Sequence, residues 1–215
     1  MGFRAQIREI LSKESVALVP ITERNLPRFD ETLTALSAKA KAEEGLLNVN
    51  LKPEESNAEW ASGVKALWVF GPKEADLAAA DQAVGFVNVY TPEHMSEVNE
   101  MLVASHRRPY DTGAVVEMAS YSKDYPANLD SDVSATKQAL AKVFMDDEFK
   151  DVRAVTVWVT HETGNALDPK QQEVMQKLGA MKLGALKYAP EETVDSTCFL
   201  IPRKAFIDRL TAPTT

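Results

Sequence analysis

Nine residues, Val152 to Thr160 (VRAVTVWVT), are apolar at both odd and even positions. A strand with one face in water alternates, whereas one covered on both faces does not. The run therefore predicts a strand at the centre of a sheet, with helices on both sides. That limits the chain to an α/β layered architecture.

The rest of the sequence supplies the other layers. Phe3, Ile7, Ile10 and Leu11 recur at helical spacing, and Ser15–Ile21 (SVALVPI) is a short β-branched run. Leu26, Phe29, Leu33 and Leu36 mark one face of a helix from 26 to about 44, with Pro27 in its first turn and Gly45 past its end. Ser56 and Glu59 have the spacing of a capping box opening a short helix through Trp60. Period-two runs at 65–71 and 82–91 predict two strands. Residues 92–112 carry little period and read as a long loop with one helical turn near 98–103.

A strand is expected over 113–123, and a helix over 131–145 with Val133, Leu140, Val143 and Phe144 inward. Asp168-Pro169 opens a further helix that Gly179 closes. Strands at 181–188 and 194–202 form a final hairpin. No repeat or low-complexity linker divides the 215 residues. They read as one domain, with residues 1–13 a helical extension and 211–215 a frayed tail.

Lys and Arg total 24 against 32 Asp and Glu, a net charge of −8. Acidic clusters at Glu54-Glu55, Asp146–Glu148 and Glu191-Glu192 repel phosphate backbones, and His106-Arg107-Arg108 is the single compact basic spot. Nucleic acid is not an expected partner. Cys198 is the one cysteine and lies in an apolar run, so no internal disulfide forms and a buried, inert thiol is expected. No stretch approaches the length of a membrane span and no signal peptide is evident, giving a cytoplasmic expectation. His94, His106 and His161 lack ligand spacing, so no metal site is expected. Association into homo-oligomers is compatible with these features.

Local sequences now add a resemblance. "VALVPITERNLPRF", "QAVGFVNVY" with Gly85, "EVMQKLGAMKLGALKY" and "VDSTCFLIPRKAF" are together similar to segments of the GNAT acetyltransferase superfamily. The nearest branch is that of the ribosomal-protein alanine acetyltransferases, over about residues 14–206. The resemblance implies a mixed, mostly antiparallel seven-stranded sheet flanked by helices. Strands four (113–123) and five (152–160) would be parallel neighbours that splay apart. Acetyl-CoA would lie in the gap, its pantetheine arm along Met118, Ala119, Ser120 and Tyr121. Its pyrophosphate would meet backbone N–H groups at Asn128, Leu129, Asp130 and Ser131, where a helix N-terminus favours an anion.

The same resemblance exposes departures. The superfamily's Arg/Gln-x-x-Gly-x-Gly/Ala signature has its two glycines at Asn128 and Asp130 here, and Lys123 is the nearest cation. Asn tolerates a left-handed backbone; Asp130 adds negative charge where pyrophosphate would sit. Asp130-Ser131-Asp132 reads instead as a self-satisfied helix cap. Asp168 stands where an asparagine often contacts cofactor, Met175 where a tyrosine often protonates the thiolate, and Ala180 where an aromatic follows Leu-Gly.

Glu117, between Val115-Val116 and Met118, is the candidate general base for an attacking amine; solvent or a neighbouring strand is its other destination. Tyr188, Tyr121 and His161 are further proton-donor candidates, against edge or rim packing for the tyrosines and solvation for the histidine, which are the commoner fates of such residues. Trp60, Trp68 and Trp158 read as packing residues. Two functions stay open: an acyl-CoA-dependent N-acyltransferase acting on a protein N-terminus or small amine, or an inactive fold of this kind used as a binding or assembly protein, for example in a phage.

Overall fold

The computed structural model describes residues 3–44, 56–111, 113–124, 127–162, 167–187 and 194–212. Its strands are β1 (Val16–Pro20), β2 (Ala66–Pro72), β3 (Gly85–Tyr90), β4 (Val115–Ser122), β5 (Ala154–Glu162), β6 (Met181–Lys187) and β7 (Val194–Pro202). They follow the order β1-β2-β3-β4-β5-β7-β6. β1/β2, β2/β3, β5/β7 and β6/β7 are antiparallel, and β4/β5 is parallel, as expected. The helices are α1 (Phe3–Ser12), α2 (Leu26–Glu44), α3 (Asn57–Gly63), α4 (Met95–Ala104), α5 (Leu129–Met145), α6 (Pro169–Lys177) and α7 (Arg203–Thr211).

The chain divides into two compact units, and the boundary falls inside β4. No change of composition could mark such a boundary. The first unit comprises residues 1–90 and 118–143. Phe29, Leu33 and Leu36 of α2, Trp60 of α3, Leu67 and Val69 of β2, Phe86 of β3 and Tyr121 of β4 form its buried cluster. The helical spacing seen in the sequence is the buried face of α2, and the capping box at Ser56 and Glu59 closes the start of α3. Val84 lies outside β3 but holds the edge, its N–H donating to the Phe70 carbonyl and its carbonyl accepting from the Lys123 N–H.

The second unit comprises residues 91–117 and 144–215. Val98 and Leu102 of α4 lie with Val115, Ala154, Cys198 and Leu200 in its buried cluster. Two elements here depart from expectation. The stretch read as a loop with one turn is α4, a ten-residue helix. Its buried residues are one i, i+4 pair, Val98 and Leu102, and His94 at the N-cap makes no side-chain cap bond. Neither the period nor the cap was strong enough to announce it. α7 was not anticipated at all: it follows β7 without a loop, behind Pro202, which also makes no cap bond. Packing holds it, through the Phe144–Phe206 ring contact at 5.7 Å.

Smaller boundary shifts matter for the site. α5 starts at Leu129, two residues early, so Asp130 lies inside the helix and is not its cap. β5 runs on to Glu162, which puts His161 in the strand opposite Asp195, not in a following loop. Val133 is half-buried, with Ala135 and Ala139 buried instead. Asp168 caps α6 as expected, accepting from the Lys170 N–H at 2.9 Å, and Gly179 follows at φ 78°. Among the described residues no helix is long and apolar enough to cross a membrane.

Candidate functional site

In the second unit the β4/β5 ladder pairs Val115 with Ala154, Val116 with Val155 and Glu117 with Thr156. Glu117 is buried, at 6% exposure, so the alternative of a solvated carboxylate is set aside. Paired residues in a ladder project to one face, and that face alternates along each strand. Thr156 and Trp158 of β5 lie opposite Glu117 and Cys198 in turn, which places Glu117 on the face carrying Cys198. Electrostatics agrees with this geometry. The Cys198 thiol is pushed up to about 12, first by burial and then by the negative charge of Glu117. Cys198 is thus an inert thiol, as its apolar setting suggested.

α4 covers this face. Val98 and Leu102 pack into the cluster that holds Cys198 and Leu200, with Met95, Met101 and Trp158 against it. Gly184 of β6 approaches α4 closely, since a Cβ there would lie 3.1 Å from the Met101 sulfur. His94, at the start of α4, stands edge-on to Trp158 with ring centroids 5.8 Å apart. In the sequence His94 carries only the absence of metal-ligand spacing, because the helix that places it shows there as a single turn near 98–103.

The other expected contacts fall in the first unit. Met118 and Tyr121 are buried, and Tyr121 packs on Phe86 at 5.6 Å inside the hydrophobic cluster. This corrects the reading of Tyr121 as a side chain beside a cofactor edge: an apolar neighbourhood claimed its ring. Ala119 and Ser120 are half-buried. Ser120 donates its hydroxyl hydrogen to the Asp132 carboxylate, tying β4 to the first turns of α5. Burial raises the Asp132 carboxyl to about 6, against the lowering effect of the Ser120 bond.

Asn128 precedes α5, and its carbonyl accepts from the Asp132 N–H at 3.0 Å. Its side-chain amide donates to the Lys123 carbonyl at 2.7 Å. Asp124 takes the left-handed backbone at φ 59°, and Lys39 lowers its carboxyl by donating a hydrogen bond at 2.7 Å. Lys123, the cation nearest the expected phosphate site, donates to the Asp81 carbonyl at 3.0 Å. The self-capping role expected of Asp130–Asp132 is replaced by this Asn128 and Ser120 arrangement.

The first turn of any α-helix leaves N–H groups without intrahelical partners. At Leu129, Asp130 and Ser131 these donors suit an anion, and the 17-residue α5 adds its dipole. The exposed Asp130 carboxylate works against that field. The first-turn N–H groups and the exposed Asp130 carboxylate thus act on an anion at this turn with opposite signs. Tyr188 lies outside the described residues. Met175 and Ala180 are ordinary positions on and after α6. Among the described residues no group of three or more His, Cys, Asp or Glu could hold a metal ion.

The seven-stranded sheet, its parallel β4/β5 pair and the closing β6/β7 hairpin define the GNAT fold. Solved structures similar to the chain carry the same fold. A ribosomal-protein-alanine N-acetyltransferase from Brucella melitensis is 16% identical, over 86% of this chain and 99% of that one, with a TM-score of 0.53. A spermidine N-acetyltransferase chimera from Vibrio cholerae and hSSAT is 13% identical, over 91% and 99%, with a TM-score of 0.51. A GNAT-family acetyltransferase from Bacillus anthracis is 13% identical, over 89% and 96%, with a TM-score of 0.50. No protein-family model and no curated protein matches the sequence.

Proposed function

We propose that the chain is an acyl-CoA-dependent N-acyltransferase that transfers an acetyl group to an amine. The observation that carries this reading is Glu117, a carboxylate buried on β4 of a GNAT fold, in ladder with the parallel strand β5. An amine attacks an acyl carbon only after losing a proton, and a shielded carboxylate within reach can take it. The neighbouring fold relatives are N-acetyltransferases, which supports the reaction class. The first turn of α5 would hold the pyrophosphate through the Leu129, Asp130 and Ser131 N–H groups, and β4 at Met118–Tyr121 would offer its backbone to the pantetheine arm. When bound, the cofactor supplies the activated acyl group. Tyr188 stands as the candidate proton donor to the departing thiolate.

Glu117→Gln is expected to lower the acetyl-transfer rate about tenfold or more, with little change in CoA affinity. Glutamine keeps the shape but cannot accept the proton. A full rate in that variant removes Glu117 from the chemistry.

A second reading is favoured by one specific arrangement. Asn128 is bonded back to Lys123 and Asp132 is engaged by Ser120, so two polar side chains at the start of α5 already have partners within the protein. On that reading the fold serves binding or assembly. Absence of acetyl transfer to any amine, together with no CoA binding, would select it.

A further inference from the structure

An open cleft of about 540 Å³ lies within the second unit, where the end of α6 meets α7. Small-molecule sites span roughly 300–1,000 Å³, so the space suits a ligand of that kind. The residues around it explain why it is unfilled. A surface helix normally buries one stripe of its side chains, yet no residue of α6 is buried, and Val174 and Met175 are only half-covered. Gly179 brings the chain after α6 against α7, since a Cβ there would lie 2.8 Å from the Ala205 carbonyl oxygen. Ala180 and Ala205 add one methyl group each. The floor of the cleft is therefore three residues with almost no side chain.

The walls are Gln176, Asp208 and Arg209, all exposed. Among the described residues the Gln176 and Arg209 side chains have no hydrogen-bond or ion-pair partner. Asp208 accepts from Lys204 at 2.5 Å through Oδ2 alone, which leaves its Oδ1 open. Asp208 and Arg209 are chain neighbours that do not pair with each other, so they offer opposite charges to one ligand. A guanidinium fork takes a carboxylate through two parallel N–H donors, and a carboxylate takes an ammonium. The C-terminal end of α6 adds partial negative charge at the rim. A plain anion would meet Asp208 and the end of α6 unfavourably, and a plain cation would meet Arg209. We propose that this cleft binds a small zwitterion of the α-amino-acid type. Its carboxylate lies on Arg209 and Gln176, its ammonium on Asp208, and its side chain over the bare floor. The site uses no group of the Glu117 face or of the first turn of α5, so it stands whether or not the chain transfers acetyl.

The test titrates the full chain, by calorimetry, with N,N-dimethylphenylalanine. This probe carries both charges and, as a tertiary amine, cannot be acetylated. N-acetylphenylalanine keeps only the negative charge, and phenylalaninamide only the positive one. The dimethyl probe is expected to bind about tenfold tighter than either, the effect of one charged hydrogen bond. Arg209→Gln should erase its advantage over phenylalaninamide, and Asp208→Asn its advantage over N-acetylphenylalanine. Both positions are exposed, so the thermal midpoint without ligand should hold. Ala180→Phe should abolish binding of the dimethyl probe by filling the floor. Three results each overturn the inference: no binding of the dimethyl probe at millimolar concentration, equal affinity for the three probes, or an affinity unchanged by Arg209→Gln. None of them bears on Glu117 as the base.

Discussion

Gly85→Ala is expected to prevent folding of the first unit. An alanine Cβ at this position would lie 1.9 Å from the Tyr121 carbonyl oxygen and 2.7 Å from the Phe70 ring. The carbonyl belongs to the backbone of β4, so relief requires moving a strand, and the Phe70 ring is fully buried. Overpacking that a side chain can absorb costs roughly 1–3 kcal/mol; a clash with backbone should exceed it and consume most of a domain's stability. Gly63→Ala is the control, since nothing lies within 4 Å of its Cβ at the end of α3. That variant should match the parent or gain up to about 1 kcal/mol. Urea unfolding followed by circular dichroism separates the two; a Gly85→Ala chain as stable as the parent would show that β3 and β4 do not approach this closely.

Asp132→Asn should be more stable than the parent at neutral pH and lose a pH dependence that the parent shows. The Asp132 carboxyl is raised to about 6 by burial, from 3.8. Between about pH 4 and 6 the folded chain therefore holds a proton that the unfolded chain has released. The stability tied to this group is fully present below about pH 4 and is lost as pH rises through about 6. A shift of about two units corresponds to at most ~3 kcal/mol, and because Asp132 is half-buried the realised value should be smaller. Loss of a favourable charge near the start of α5 takes back a few tenths of a kcal/mol. Asparagine can still accept from Ser120. Denaturant midpoints at pH 4.5 and 7.5 decide the matter: a variant less stable than the parent at pH 7.5 would mean that the ionised carboxylate is net stabilising.

What the sequence disclosed tracks how strongly each element signals itself. β5 was legible because it is apolar on both faces, and α2 because four apolar residues fall on one stripe. Glu117 could be singled out because a carboxylate among Val115, Val116 and Met118 is conspicuous. α4 escaped because one buried pair at i, i+4 carries little periodicity. With it went His94 and the cover over the sheet face that carries Cys198 and Leu200. Trp158 was read as packing, which its ring does. The sequence also suggested that Asp130 caps α5, whereas the start of the helix depends on Asn128 reaching back to Lys123. That contact follows the path of the chain before the helix, which residue preference does not specify.

The most direct test of the function is isothermal titration of CoA into the parent and into an Asn128→Gly, Asp130→Gly double variant. If the first turn of α5 is a pyrophosphate site weakened by its own charge, the parent binds, and removing one carboxylate while freeing the backbone tightens binding about tenfold. Some helix capping is lost in exchange, a few tenths of a kcal/mol. Binding that is measurable in the parent and stronger in the variant is the predicted result. Failure of both proteins to bind CoA at millimolar concentration would contradict an acyltransferase and leave the fold as a binding or assembly module.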